Sequence, residues 1–153
     1  MEKSAYLSQK TVFTAGYEGK DIDSFLDSLS SHNIQVVVDV REIPLSRKKG
    51  FSKSILQQRL AEYDIDYIHI KALGSPSHLR KKVYQDKDFD YFFTNYEKYL
   101  ESCQEELEEL YEVINERVSC LLCFENDPYY CHRSAVADRV TRINGAPLQI
   151  KHI

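Results

Sequence analysis

Short apolar runs alternate along the chain with segments whose apolar residues recur at helical spacing. Thr11 to Tyr17 reads as a first strand, with Val12 and Phe13 as strand formers. The turn Gly16-Tyr17-Glu18-Gly19 ends it. Ile22, Phe25, Leu26 and Leu29 then fall at i, i+3, i+4 and i+7, the stripe of a core-facing helix, with Asp21 as its expected N-cap. Ile34 to Val40 is apolar on both faces, as a central parallel strand should be. Phe51 and Leu56 have the spacing of a hydrophobic staple around an N-cap at Ser52. Ile55, Leu56, Leu60 and Tyr63 form the expected inner face of the helix that follows.

Ile65 to Ile70 reads as a third strand. Residues 71–88 are polar and read as one long loop, of the kind that is usually functional or mobile. Phe89 to Ile114 has the pattern of a single helix, and the eight Glu between Glu97 and Glu116 mark its solvated face. Val118 to Phe124 is a fourth strand. A helix begins near His132, carries the stripe Val136, Val140 and Ile143, and stops at Asn144-Gly145. Pro147 to Ile153 is a short last strand. The order β-α-β-α-β-α-β-α-β predicts a single α/β domain over residues 1–153. Its sheet is expected to be mainly parallel, with about five strands and helices on both faces.

Composition narrows the class. Hydrophobic residues make up 42% and charged residues 29% of 153, close to globular averages. The longest strongly apolar stretch, Ile34 to Val38, is far short of the ~20 residues a membrane-spanning helix needs. The N-terminus lacks the apolar region of a signal peptide, so a cytoplasmic protein with no membrane association is expected. A net charge of −4 excludes a wholly basic nucleic-acid coat but not a local basic site. With no secretory signal, the four cysteines are expected as reduced thiols.

Open α/β sheets bind ligands at the carboxyl ends of their strands, and that rule gathers the polar residues. The first strand delivers Tyr17 and Glu18. The second delivers Asp39 and Arg41, then Ser46 and Arg47. The third delivers Lys71, His78 and Arg80. The fourth delivers Glu125, then Cys131, His132 and Arg133 at a helix start. Asp39 is either an ion-pair partner of Arg41 or Arg133, or a general base or ligand contact. Glu125 holds the equivalent position on its strand, so the two carboxylates could share acid/base work.

Cys131-His132-Arg133 is the sharpest local feature. A thiol at a helix N-terminus beside cations has a lowered pKa, which suits a nucleophile. The same backbone N–H groups with Arg133 suit an anion clamp over a structural Cys131. A metal site of Cys123, Cys131 and His132 lacks an evident fourth ligand, so no metal is assigned. Position 137 is Ala, which excludes the phosphatase loop with Arg six residues after the nucleophile. Cys120 and Cys123 lie within a strand and read as core thiols.

Arg41 to Lys53 holds five basic residues and one acid, Glu42. With Arg80, Lys81 and Lys82 it can form a basic stripe. Tyr17, Phe51, Tyr84, Tyr129 and Tyr130 supply stacking faces, a mixture that suits a nucleotide or single-stranded nucleic acid. No Gly-rich phosphate loop or dinucleotide fingerprint occurs, so no cofactor is expected.

The ordered motifs Thr14-Ala15-Gly16-Tyr17-Glu18-Gly19, Val38-Asp39-Val40-Arg41 with Pro44 and Ser46-Arg47, and Gly50-Phe51-Ser52-Lys53 resemble those of the domain-of-unknown-function family 488 (DUF488). So do Leu73-Gly74 and Leu121-Leu122-Cys123-Phe124-Glu125 followed by Cys131-His132-Arg133. The resemblance runs from about residue 11 to 143. It implies an α/β domain and a single site drawn from the residues named above, and it carries no substrate. The expected activity is therefore that of a cofactor-independent enzyme acting on a phosphate-bearing ligand. Asp39, Glu125 or Cys131 would do the chemistry, and Tyr17, Arg41, Arg47 and Arg133 would bind. The rival expectation is a non-catalytic module for nucleic acid or an anionic small molecule; a thiol or metal sensor is the third.

Overall fold

Five parallel strands form one sheet in the order β3-β2-β4-β1-β5 in this computed structural model, which describes residues 10–143 and 148–153. The strands are β1 (Lys10–Gly16), β2 (Val36–Asp39), β3 (Asp66–His69), β4 (Ser119–Cys123) and β5 (Leu148–His152). The helices are α1 (Ile22–Ser31), α2 (Lys53–Ala61), α3 (Ser77–Asp86), α4 (Phe89–Leu100), α5 (Gln104–Glu116) and α6 (His132–Val140). The α/β expectation holds, and the sheet is wholly parallel.

Side chains of each central strand point alternately to the two faces, and each face has its own core. Val38 and Leu121 pack with α3, α4, α5 and α6; Val37 and Leu122 pack with α1 and α2. β2 and β4 are buried at every residue, which is why their sequences are apolar throughout.

Two expected segments differ. The stretch read as a loop over 71–88 contains a 3-10 turn, Lys71–Leu73, and then α3. Its polar sequence hides a helix that needs only Leu79 and Val83 to reach the core. The single helix expected from Phe89 breaks at 101–103, where Cys103 is buried and α5 starts anew. An exposed acidic face conceals that break, because charge carries no periodicity of its own.

Local details also shift. Asp21 caps α1 as expected, accepting the Ser24 N–H at 2.8 Å. Ser52 occupies the cap position of α2, but its hydroxyl instead ties to the Ser46 backbone. Leu56 and Leu60 are buried on α2, whereas Ile55 is 52% exposed and Tyr63 lies beyond the helix end. Val136 and Val140 are buried on α6; Ile143 is only partly so. The Asn144-Gly145 stop lies outside the described residues. No helix among the described residues is long and apolar enough to cross a membrane.

Candidate functional site

β2 and β4 are neighbours, and the chain leaves them in opposite directions. After β2 it runs to α2 on one face; after β4 it runs to α6 on the other. Diverging connections leave a crevice at the carboxyl ends of such a strand pair. A pocket of about 370 Å³ lies there. One wall is the segment after β2, with Arg41, Glu42 and Ser46; another is the segment after β4, with Phe124, Glu125 and His132. α3, α4 and their approaches close it with Ser75, Arg80, Tyr84 and Phe92. A volume in this range suits a small organic ligand.

Asp39 is fully buried at the end of β2 and does not line the pocket. It accepts from Arg41 Nε, Nη2 and backbone N–H, and from the Tyr67 hydroxyl at 2.5 Å. Of the two expected roles, ion pairing with Arg41 is the one its contacts fill. Burial and the Asp39 carboxylate together hold the Tyr67 hydroxyl far above its usual range. Arg41 does line the pocket. Burial works against its charge, and Asp39 more than offsets this, so Arg41 remains a fixed cation. Its other contacts are the Phe51 carbonyl at 2.8 Å and the Tyr17 hydroxyl at 3.1 Å. Four hydrogen bonds thus occupy four of the five N–H donors a guanidinium carries.

Tyr17 is 2% exposed, stacked on Phe51 at 4.3 Å, and edge-on to Phe124 at 5.4 Å. It lines the pocket as part of a fixed aromatic wall. Ser46 also lines it, and its Oγ accepts the Lys48 N–H. Glu18 and Arg47 are exposed and lie outside the lining. Glu18 instead accepts the Asn126 N–H at 3.1 Å and so ties the loop after β4 to β1.

Glu125 reaches the pocket half-buried, with the Tyr84 hydroxyl donating to its Oε2 at 3.2 Å. Burial pushes its carboxyl above the usual range. His132 is buried and donates Nε2–H to the Val40 carbonyl at 2.5 Å. Burial pushes its imidazole down to about 4 despite that bond. The neutral ring therefore keeps Nδ1 as an acceptor, 3.9 Å from Cys131 Sγ.

Arg133 is the largest fully buried side chain. Its guanidinium donates to the carbonyls of Glu125 and Asn126 and to Cys123 Sγ, and it lies outside the pocket lining. The expected anion clamp is thus a brace for the loop after β4. Cys131 is 1% exposed, and its Sγ is joined to Cys123 Sγ in a disulfide, where reduced thiols were expected. Cys103 and Cys120 are free and buried. Cys123, Glu125, Cys131 and His132 bring their ligand atoms within 4.8 Å of one another.

Three polar residues that the sequence pattern does not point to also line the pocket: Ser75, Lys87 and Glu42. Ser75 Oγ is buried with no hydrogen-bond partner among the described residues. The one available signal was its place after Gly74, whose missing Cβ lets this turn press against the Glu42 backbone. Glu42 was visible only as the lone acid of a basic segment. It accepts from Ser77 and pairs with Arg80 at 2.9 Å.

No curated protein and no solved structure matched the chain. A family model did match, over residues 21–140, which include both β2 and β4 and every segment that walls the pocket except the turn at Tyr17. With that span covered, the chain belongs to the family described as Domain of unknown function DUF488.

Proposed function

We propose that this protein is an enzyme acting on a phosphate-bearing ligand of the nucleotide class, bound in the pocket between β2 and β4. The observation that carries the reading is Ser75. Its hydroxyl is 1% exposed, has no partner and lines a pocket with aromatic walls and two arginines, Arg41 and Arg80. A buried hydroxyl left unpaired costs about 1–3 kcal/mol, and a polar ligand removes that cost.

The division of labour follows from the side chains. Phe124, Tyr84 and Phe92 offer faces and edges to a planar base. Arg41 keeps one N–H unused, and Arg80 and Lys87 add positive charge to meet a phosphate. Two carboxylates line the pocket; Glu42 pairs with Arg80, which leaves Glu125 as the group suited to pass a proton in a hydrolytic step. Asp39 supports Arg41 rather than the reacting atoms. The pocket is of a size for a single nucleotide, and the exposed Arg47 outside it does not extend a strand-binding groove.

The test is calorimetric titration with a panel of nucleoside monophosphates, followed by product analysis by mass spectrometry. Arg80→Ala should weaken binding about tenfold, near 1.4 kcal/mol. Glu125→Gln should retain binding and lose turnover. Binding with no product from the wild type would make the protein a binding module. No binding across the panel would overturn the pocket assignment.

A further inference from the structure

The sulfur cluster behind the pocket is not used by that reading. We propose that, with the Cys123–Cys131 disulfide reduced, Cys123, Cys131 and His132 bind one divalent metal ion of the zinc class, with its fourth position opening on the pocket beside Glu125. The proposal extends the enzymatic reading by giving the pocket a Lewis acid.

Backbone placement is the first argument. The Cα atoms of Cys123 and Cys131 are 7.3 Å apart. Disulfides span about 4.4–6.8 Å, and pairs beyond about 7 Å need backbone movement to close. An ion between the sulfurs needs none. Zn–S bonds of about 2.3 Å in a tetrahedron hold two thiolates about 3.8 Å apart, so once the disulfide is reduced the sulfurs need only rotate away from each other.

The third ligand is already oriented. His132 spends its Nε2–H on the Val40 carbonyl, which leaves the Nδ1 lone pair on the side of Cys131 Sγ, 3.9 Å away. A tetrahedral site with these bond lengths asks for about 3.5 Å between sulfur and nitrogen. A ligating histidine fixed through its other nitrogen is the usual outer-shell arrangement.

The surroundings suit thiolates. Arg133 Nη1 lies 3.3 Å from Cys123 Sγ, and the Arg133 backbone N–H lies 3.5 Å from Cys131 Sγ. A thiol reductant supplies the two electrons and is itself oxidised to its disulfide as the Cys123–Cys131 bond opens to two thiols; metal binding then releases one proton from each thiol to solvent, with no further change of oxidation state. Two thiolates balance the divalent ion, and Arg133 balances Glu125.

Glu125 is assigned to the open corner rather than to the ligand set. Its Oε2 already takes the Tyr84 hydroxyl, and its Oε1 stands 4.0 Å from Cys123 Sγ. Both Glu125 and His132 line the pocket, so a water or ligand oxygen can reach the fourth position there. Two cysteines and one histidine with a neighbouring, non-ligating glutamate make an established arrangement for activating water on zinc.

The experiment is titration of the metal-stripped, reduced full chain with cobalt(II), without any nucleotide. The expected result is thiolate-to-cobalt charge-transfer absorption saturating at one ion per chain and bleached by zinc(II). Cys131→Ser should abolish the band, while Glu125→Gln and Cys120→Ala should keep it. Cadmium NMR on the wild type, which needs no variant to fold, should report two sulfur ligands. No charge-transfer band in the wild type, a band that survives in Cys131→Ser, or a cadmium signal without sulfur would each overturn the proposal. Because no nucleotide is present, such a failure leaves the calorimetric result untouched.

Discussion

The Asp39 carboxylate and the Arg41 guanidinium meet at two points, Oδ1 to Nε at 2.8 Å and Oδ2 to Nη2 at 2.7 Å. Both side chains are almost wholly removed from solvent. Two residues apart at the end of β2, they turn a strand terminus into a rigid cationic edge of the pocket. Asp39→Asn keeps the shape and removes the charge, leaving Arg41 buried without a counter-ion. The expected cost is about 3–5 kcal/mol. Tyr67→Phe, which removes one hydrogen bond to the same carboxylate, should cost about 1–2 kcal/mol. Urea midpoints of the two variants check the order. An Asp39→Asn no weaker than Tyr67→Phe would show that the pair does not hold this edge.

Gly16 pairs with Cys123 at the end of the β1–β4 ladder and lies against the Glu125 carbonyl just beyond β4. A Cβ at Gly16 would overlap the Glu125 carbonyl and lie 2.8 Å from Arg133 Nη1. The obstacle is backbone, so no side-chain rotation relieves it. Gly16→Ala should therefore push the loop after β4 away from β1, cost about 1–3 kcal/mol as an overpacked site, and weaken ligand binding together with stability. Gly19→Ala meets no atom within 4 Å. Its positive φ of 79° makes it a strained but unobstructed control that should spare the pocket. Equal losses of ligand affinity in the two variants would argue against the contact at Gly16.

The strands and α1 were legible because apolar spacing reports burial directly: IQVVVDV has no polar face to hide, and Ile22, Phe25, Leu26 and Leu29 all reach the core. α3 was not, because it anchors through Leu79 and Val83 alone and spends its other positions on solvent. At the site, the pattern of strand ends brought Tyr17, Arg41, Ser46, Glu125 and His132 to one pocket. It did not tell which polar groups face a ligand and which face each other. Asp39 and Glu18 are satisfied within the chain, Arg133 is satisfied through Nη1 and Nη2 while its buried Nε has no partner among the described residues, and a sequence carries no sign of partner choice. Ser75 was invisible for the opposite reason: its significance is the absence of a partner.

That absence gives Ser75→Ala an unusual signature. Without ligand, removing an unpaired buried hydroxyl should leave stability unchanged or raise it by about 1 kcal/mol. With ligand, the same change should lose about 1 kcal/mol of binding, or roughly fivefold in Kd. Thermal unfolding of the free chain and calorimetry on the bound one read the two effects separately. A Ser75→Ala chain that is clearly less stable when free would mean that the hydroxyl has a partner inside the protein and no claim on a ligand.

Cys120 sits in the middle of β4 with no exposure, and burial pushes its thiol from 9.0 up to about 12, against a smaller pull from Arg133. Between those values the unfolded chain releases this proton and the folded chain keeps it. The unfolded state then binds fewer protons, so stability falls as pH rises. The contribution is intact below pH 9 and declines by roughly 1.4 kcal/mol per pH unit above it until the folded thiol ionises near 12. Cys120→Ala removes the titrating group at a packing cost that does not vary with pH. Tyrosines and lysines titrate equally in both chains and cancel in the difference. Urea midpoints measured from pH 8 to 10.5 should therefore start lower for Cys120→Ala and converge with the wild type as pH rises. Parallel curves would show that Cys120 ionises in the folded chain as readily as in the unfolded one, through water reaching the centre of the sheet.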